Sequence, residues 1–183
     1  MNNKSFIVTG ASASGKSTLI NLAATNGYIY LPTHMTREPR LGENNGQDAI
    51  FLSNEQFEIN FKSGIYLEES LEFALLKKLG VYYGTPREWL KKLSLDNYCA
   101  TPVSIAIASM IKEKVNVFWL HLYCNEIDRY NRLIARGISK EEVEKRMTSG
   151  DSINFPKNAN EIVNTSEYEP KEILKKIRRI WYE

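Results

Sequence analysis

The sequence predicts an α/β fold: a central parallel sheet flanked by helices, with an inserted mixed-β subdomain. Three observations predict it. A short apolar run, Ser5-Phe6-Ile7-Val8-Thr9, passes through a Gly- and Ser-rich turn into a helical segment, which is how a βαβ unit opens. Between about residues 33 and 85 the texture changes to brief β-like runs separated by turn signals. After residue 85 the alternation of strand and helix returns.

Taken in order, Ser5 to Thr9 reads as a buried parallel strand ending at Gly10. Lys16 to Ala24 is a helix stopped by Asn26-Gly27, and Tyr28 to Leu31 a second strand. In the inserted region, Ala49-Ile50-Phe51-Leu52 and Val81-Tyr82-Tyr83 are strand-like, and Asn54 to Lys62 is a short helix. Pro86 suits the first turn of a helix through Leu93, with Thr85 as its N-cap. Asn97 to Val103 then reads as strand and Ser104 to Lys114 as helix. Val115 to Tyr123 is the most strand-like stretch of the chain. Asn125 to Arg136 is an amphipathic helix ended by Gly137. From Ser139 to about Asn158 the chain is polar, helical at first and looser later. Glu161 to Asn164 is a last strand and Pro170 to Trp181 a closing helix.

Composition narrows the class. The 183 residues are 43% hydrophobic, enough for one compact core, and the formal charge of +2 demands neither a nucleic-acid nor a membrane partner. No apolar run reaches the roughly 18 residues a bilayer span needs. Met1-Asn2-Asn3-Lys4 leads straight into strand, so we expect no signal peptide and a cytoplasmic protein. Cys99 and Cys124 both lie in apolar runs and are expected to be reduced and buried. His34 and His121 are too few and too far apart to add a zinc site. Trp89, Trp119 and Trp181 are expected to pack.

The chemistry begins at Gly10-Ala11-Ser12-Ala13-Ser14-Gly15-Lys16-Ser17, which satisfies every fixed position of G-x-x-x-x-G-K-S. The glycines let the backbone approach phosphate, and successive N–H groups with the helix N-terminus face the anion. Lys16 is placed to neutralise the β- and γ-phosphates. Ser17 supplies a hydroxyl for Mg²⁺, and Thr18 extends the nucleotide-binding set. A nucleoside triphosphate with Mg²⁺ is therefore the expected ligand. By itself this turn leaves kinase, ATPase and GTPase open.

A second cluster follows the second strand: Thr36-Arg37-Glu38-Pro39-Arg40 carries two arginines three positions apart, suited to a second anionic ligand or to an exposed basic turn. Its continuation through Gly42-Glu43, Gly46 and Asp48 to Phe51 resembles the acceptor-binding region of guanylate kinases. Gly80-Val81-Tyr82-Tyr83-Gly84-Thr85 resembles the GxYYG turn of that family. Arg132-x-x-x-Arg136-Gly137, Lys145-Arg146 and Ile162-Val163-Asn164 are similar to its lid and its end.

The resemblance implies a P-loop kinase fold in one domain over residues 1–183. Its core spans about 1–32, 86–136 and 160–183, its acceptor-binding subdomain about 33–85, and its lid about 137–159. It implies small-molecule nucleotides as partners, with GMP or dGMP the phosphoryl acceptor and ATP the donor; monomer and homodimer both stay open. Arg37, Arg40 and Tyr83 would hold the acceptor phosphate, with Thr33 and Thr85 beside phosphate and base. Glu72 would accept from the guanine edge, with Glu68 and Glu69 as rivals. Lys16, Arg37, Arg40, Arg132 and Arg136 are the expected catalytic set, and Arg146 a further lid candidate.

The chain departs from the family at three positions. Ala49 stands where the family has a second phosphate-binding Tyr, and Pro102 and Ser104 stand where it has Asp-x-Asp. Those departures keep two alternatives in view. One is a kinase of the same fold acting on another or modified nucleotide or on ribose 1,5-bisphosphate. The other is an inactive binding module.

Overall fold

The computed structural model describes residues 4–40, 42–67, 80–95, 98–148 and 155–180. Its strands are β1 (Phe6–Thr9), β2 (Ile29–Tyr30), β3 (His34–Met35), β4 (Ile50–Phe51), β5 (Tyr83–Gly84), β6 (Cys99–Pro102), β7 (Phe118–Tyr123) and β8 (Glu161–Asn164). The described helices are α1 (Lys16–Thr25), α2 (Asn54–Lys62), α3 (Glu88–Ser94), α4 (Ile105–Lys114), α5 (Glu126–Ile134), α6 (Lys140–Met147) and α7 (Pro170–Ile180).

Five strands form an all-parallel sheet in the order β2-β6-β1-β7-β8, with β1 at its centre. Strand alternation sends Phe6 and Val8 to one face, where they pack with Leu19, Ile20, Ala23, Ile173, Leu174 and Ile177 of α1 and α7. Ile7 points to the other face and packs with Trp119, Leu93, Ile107 and Ile111, under α3 and α4. A sheet covered on both faces needs continuous apolar strands, which is why β1 and β7 carry almost no polar alternation. Each fully buried large side chain here contributes about 1.5–3 kcal/mol. In such a sheet, ligands bind beyond the carboxyl ends of the strands where the connections diverge, and the turn after β1 opens there.

The second sheet is small and mixed: β3 pairs parallel with β4 and antiparallel with β5. A stack of aromatics holds it. The Phe57 ring lies 4.5 Å from that of Tyr66 and 5.3 Å from that of Tyr82. Gly84 is required there, since a Cβ would sit 2.7 Å from the Tyr66 ring. Ser53 and Gln56 close α2 with a reciprocal capping box.

Most elements lie where the sequence places them; β3, the centre of the small sheet, has no counterpart among the expected strands, and one helix starts late. The helix expected from Pro86 with Thr85 as N-cap begins at Glu88, after Arg87. Thr85 and Pro86 are instead drawn into β-type pairing: the Thr85 carbonyl accepts from Leu67 N at 2.9 Å, Pro86 bridges to Tyr66, and Arg87 N donates to the Ile65 carbonyl at 2.8 Å. Backbone partners outcompete the cap. Cys99 and Cys124 are both free thiols, but Cys124 lies just beyond β7 and is half-buried. Trp89 and Trp119 are buried as expected; Trp181 lies outside the described residues. Among the described residues no helix is long and apolar enough to cross a membrane.

Candidate active site

The turn between β1 and α1 is held in conformations ordinary residues avoid: Gly10 has φ 141°, Ala13 φ 66° and Gly15 φ 95°. At Gly10 the requirement is absolute, because a Cβ would lie 2.0 Å from the Leu122 carbonyl oxygen. Lys16 curls back over the turn, its Nζ donating to the carbonyls of Gly10 at 2.6 Å and Ala11 at 2.8 Å. Ser17 and Thr18 are exposed on the first turn of α1. That helix has no side-chain cap and no acidic residue in its first turn, so its positive end is available to an anion.

A turn that aims its N–H groups at a ligand must find donors for its carbonyls elsewhere. Arg129 Nε donates to Ser12 O at 3.1 Å, and Arg132 Nη1 to Ala13 O at 3.4 Å. The Thr165 hydroxyl lies 3.1 Å from Ser14 O. Arg132 also grips Thr165 through its hydroxyl and carbonyl, both at 2.8 Å. The expected lid arginine Arg132 is therefore engaged at the phosphate turn itself. Ser14 Oγ is buried without a hydrogen-bond partner among the described residues.

Beneath the turn lies a group that sequence reasoning missed as a site residue. His121, 2% exposed, is register partner of Thr9, and its Nδ1 is 2.9 Å from Thr9 Oγ1, which accepts from Trp119 Nε1 at 2.8 Å. Burial, and secondarily the Lys16 charge, lowers its pKa to about 4, so the imidazole is neutral at pH 7. Only register on the folded sheet brings residues 9 and 121 together. Arg129 was missed too. Its spacing three before Arg132, on the same helix face, was the available signal.

The second half of the site is built from charge pairs on the small sheet. Glu43 receives two hydrogen bonds from Arg37, at 2.6 and 2.8 Å, and one from the Arg40 backbone N–H at 2.8 Å. Burial opposes the Glu43 charge, but these bonds and the two guanidinium charges hold its carboxyl below the ordinary value. Burial likewise pulls Arg37 down, yet Glu43, together with Tyr83, carries it above its ordinary value. Thr36 explains how Tyr83 reaches Arg37: it accepts from Tyr82 N through Oγ1 at 2.9 Å and donates its own N–H to the Tyr82 carbonyl at 3.1 Å. The GxYYG segment is thereby stapled to the arginine turn.

Thr33 links β2 to β3 and is half-buried, while Thr85 is buried behind β5. Ala49 is buried, and the Tyr30 hydroxyl donates to the neighbouring Asp48 carbonyl at 2.5 Å. Glu68, Glu69 and Glu72 lie outside the described residues.

Four arginines, Arg37, Arg40, Arg136 and Arg146, lie close enough for their charges to act on one another. Burial, then the charge of Arg37, depresses the Arg40 guanidinium, with Arg146 and Arg136 adding to the effect. Arg136 is depressed by burial and then by Arg146, with Arg37 and Arg132 also repelling it. Arg146 sits on α6, and its Nε donates to Glu142 at 2.7 Å. Like charges gathered near Glu43, with Arg146 also paired to Glu142, favour an anion between them. At the end of β6, Ser104 caps α4 by accepting from Ile107 N at 3.3 Å, and Pro102 ends the strand. Among the described residues no group of three or more His, Cys, Asp or Glu side chains could hold a metal ion.

Comparison with known proteins bears on this arrangement. The family model described as guanylate kinase matches residues 2–153. A guanylate kinase of Protochlamydia amoebophila is 30% identical over 151 residues, 80% of this chain and 74% of that protein. One of Nostoc sp. is 35% identical over 153 residues, 80% of this chain and 73% of that protein. Among solved structures, the guanylate kinase of Anaplasma phagocytophilum superposes with a TM-score of 0.63 at 16% identity, covering 98% of this chain and 86% of that one, a likeness of fold.

Proposed function

The chain belongs to the guanylate kinase family, and on that premise we propose that it transfers the γ-phosphoryl group of ATP to the 5′-phosphate of GMP or dGMP, giving ADP and GDP or dGDP. The observation that carries this reading is the grouping of Arg37, Arg40, Arg136 and Arg146 beside Arg132, which itself bonds the Ala13 carbonyl of the lysine-bearing turn.

Transfer between two anions is limited by charge repulsion and alignment, so the protein's work is neutralising and positioning. The N–H groups of residues 10–18 and the positive end of α1 hold the donor phosphates. Lys16, which bonds the Gly10 and Ala11 carbonyls, would turn to the β- and γ-oxygens of the donor. Arg37, Arg40 and Tyr83 hold the acceptor phosphate; Thr33, Thr85 and Glu72 line the acceptor. Arg136 and Arg146 neutralise the transferring group from the lid and help exclude water. Arg132, bonded to Thr165 and the Ala13 carbonyl, shapes the turn that grips the donor.

The donor turn fits Mg-ATP: it is a backbone cradle a Cβ at Gly10 would block, and the exposed Ser17 hydroxyl lies at its mouth. Mg²⁺ bound there would supply charge neutralisation across the β- and γ-phosphates. With Pro102 and Ser104 at the end of β6, Ser17 and the phosphates would hold the metal without a carboxylate from these two positions.

The same two residues support a second reading, in which base selection is broader than guanine. The test is ADP release from Mg-ATP with GMP, dGMP, the other monophosphates and ribose 1,5-bisphosphate. Turnover with GMP or dGMP above the ATP-only control is expected. Turnover only with another acceptor overturns the substrate assignment, and ATP binding without any turnover means a binding module. Glu72→Gln should raise KM for the guanine acceptor; an unchanged preference shifts the role to Glu68 or Glu69.

A further inference from the structure

Arg129 is the most buried described charged side chain, 5% exposed, and pairs with no carboxylate among the described residues. A buried guanidinium without a counter-ion is costly unless its donors are met. Here they are met on two sides. Nε donates to the Ser12 carbonyl in the phosphate turn, at 3.1 Å. Nη2 donates to the Arg146 carbonyl, and Nη1 lies 3.5 Å from the Met147 carbonyl.

Those last two oxygens end α6, and a helix leaves its final four carbonyls unpaired. Thr148 takes the other two, its N–H and hydroxyl donating to Glu144 O and its hydroxyl also lying 3.2 Å from Lys145 O. Arg129 completes the set and places a positive charge at the negative end of the helix. One side chain on α5 therefore fastens both the donor turn and the helix carrying Arg146.

We propose that Arg129 is a positioning residue, which locks the C-terminal end of α6 to the phosphate turn so that Arg146 is held in register with the phosphoryl group in transfer. Its kinetic consequence rests on the kinase reading above; its mechanical consequence does not. Arg146 needs such a reference because α6 meets the core through a small cluster, Ala13, Leu133 and Val143 with Ile138 and Met147. Apolar packing fixes the depth of the helix but resists sliding weakly, whereas directional bonds to Ser12 fix its register.

Hydrogen exchange with and without Mg-ATP tests the mechanical half in the full chain. In the wild type, ATP should slow exchange both in residues 10–18 and in 140–148. In Arg129→Leu, protection of 10–18 should persist while that of 140–148 is lost, with Arg129→Lys intermediate. Equal protection of 140–148 in all three proteins overturns the proposal. Should Arg129→Leu fail to fold, Arg129→Lys alone decides by the same comparison. In the kinetic half, Arg129→Leu should lower kcat about tenfold in the wild-type background, and by less than about twofold when Arg146→Ala is already present. Additive losses overturn the link to Arg146. If no acceptor is phosphorylated even by the wild type, the kinase reading fails and the exchange result still stands.

Discussion

The two halves of the proposed site would grip phosphate by different means. The donor half is backbone: Gly10, Ala13 and Gly15 hold strained turns on the end of a strand buried on both faces, and the surrounding side chains serve its carbonyls. The acceptor half is side chain. It stands on strands of two residues each, and its shape depends on Glu43 holding two arginines apart. A backbone cradle is preformed by the core, so it is rigid and intolerant of change. A cradle of guanidinium groups balanced on one carboxylate is adjustable, and the loss of a member should weaken it without dismantling the fold.

The largest effect that comparison predicts is at Lys16. Lys16→Ala should lower kcat by about a hundredfold to a thousandfold with every acceptor, measured as ADP release. A near-normal rate would remove Lys16 from the mechanism and the donor half with it. Next is the acceptor half. Arg37→Ala or Arg40→Ala should raise KM for GMP on the order of tenfold to a hundredfold while leaving KM for ATP near the wild-type value. Equal changes in both constants would show that the two halves are not separable.

Acid should distinguish them as well. His121 titrates at about 4 in the folded chain against 6.5 when free, so the unfolded chain binds more protons between those values. Its contribution, roughly 3 kcal/mol, is fully present above pH 6.5 and lost as pH falls towards 4. Glu43, also depressed, contributes fully above its ordinary value of 4.5 and loses that contribution progressively as pH falls below it. Urea unfolding of the wild type and His121→Asn from pH 7 to 4 should show the slope in the former and a flatter profile in the variant. A slope that survives the substitution excludes His121 as its source. The smallest effect is expected at Ser14, whose hydroxyl bonds nothing described: Ser14→Ala should leave KM for ATP within about twofold. A larger rise would mean that the donor half also uses a side-chain donor there.

Much of this was legible in the chain. β8 begins and ends where the strand expected over Glu161 to Asn164 does, and α2 where the helix expected over Asn54 to Lys62 does. The Thr85-Pro86 start was misleading because its rival, pairing with Tyr66 and Leu67, comes from about 20 residues away and leaves no local mark.

The sequence by itself determined the phosphate turn and the arginine turn, because each is a contiguous run whose residue types dictate its local backbone and charge. It also determined the family, since those runs occur in a fixed order. Tertiary structure alone decided that Thr9 meets His121, that Arg129 and Arg132 serve the carbonyls of residues 12 and 13, and that Arg40 faces Arg136 and Arg146. Those relations join residues up to 119 positions apart. They follow from sheet register and helix packing, which depend on the whole core at once and so have no signature in any one stretch of chain.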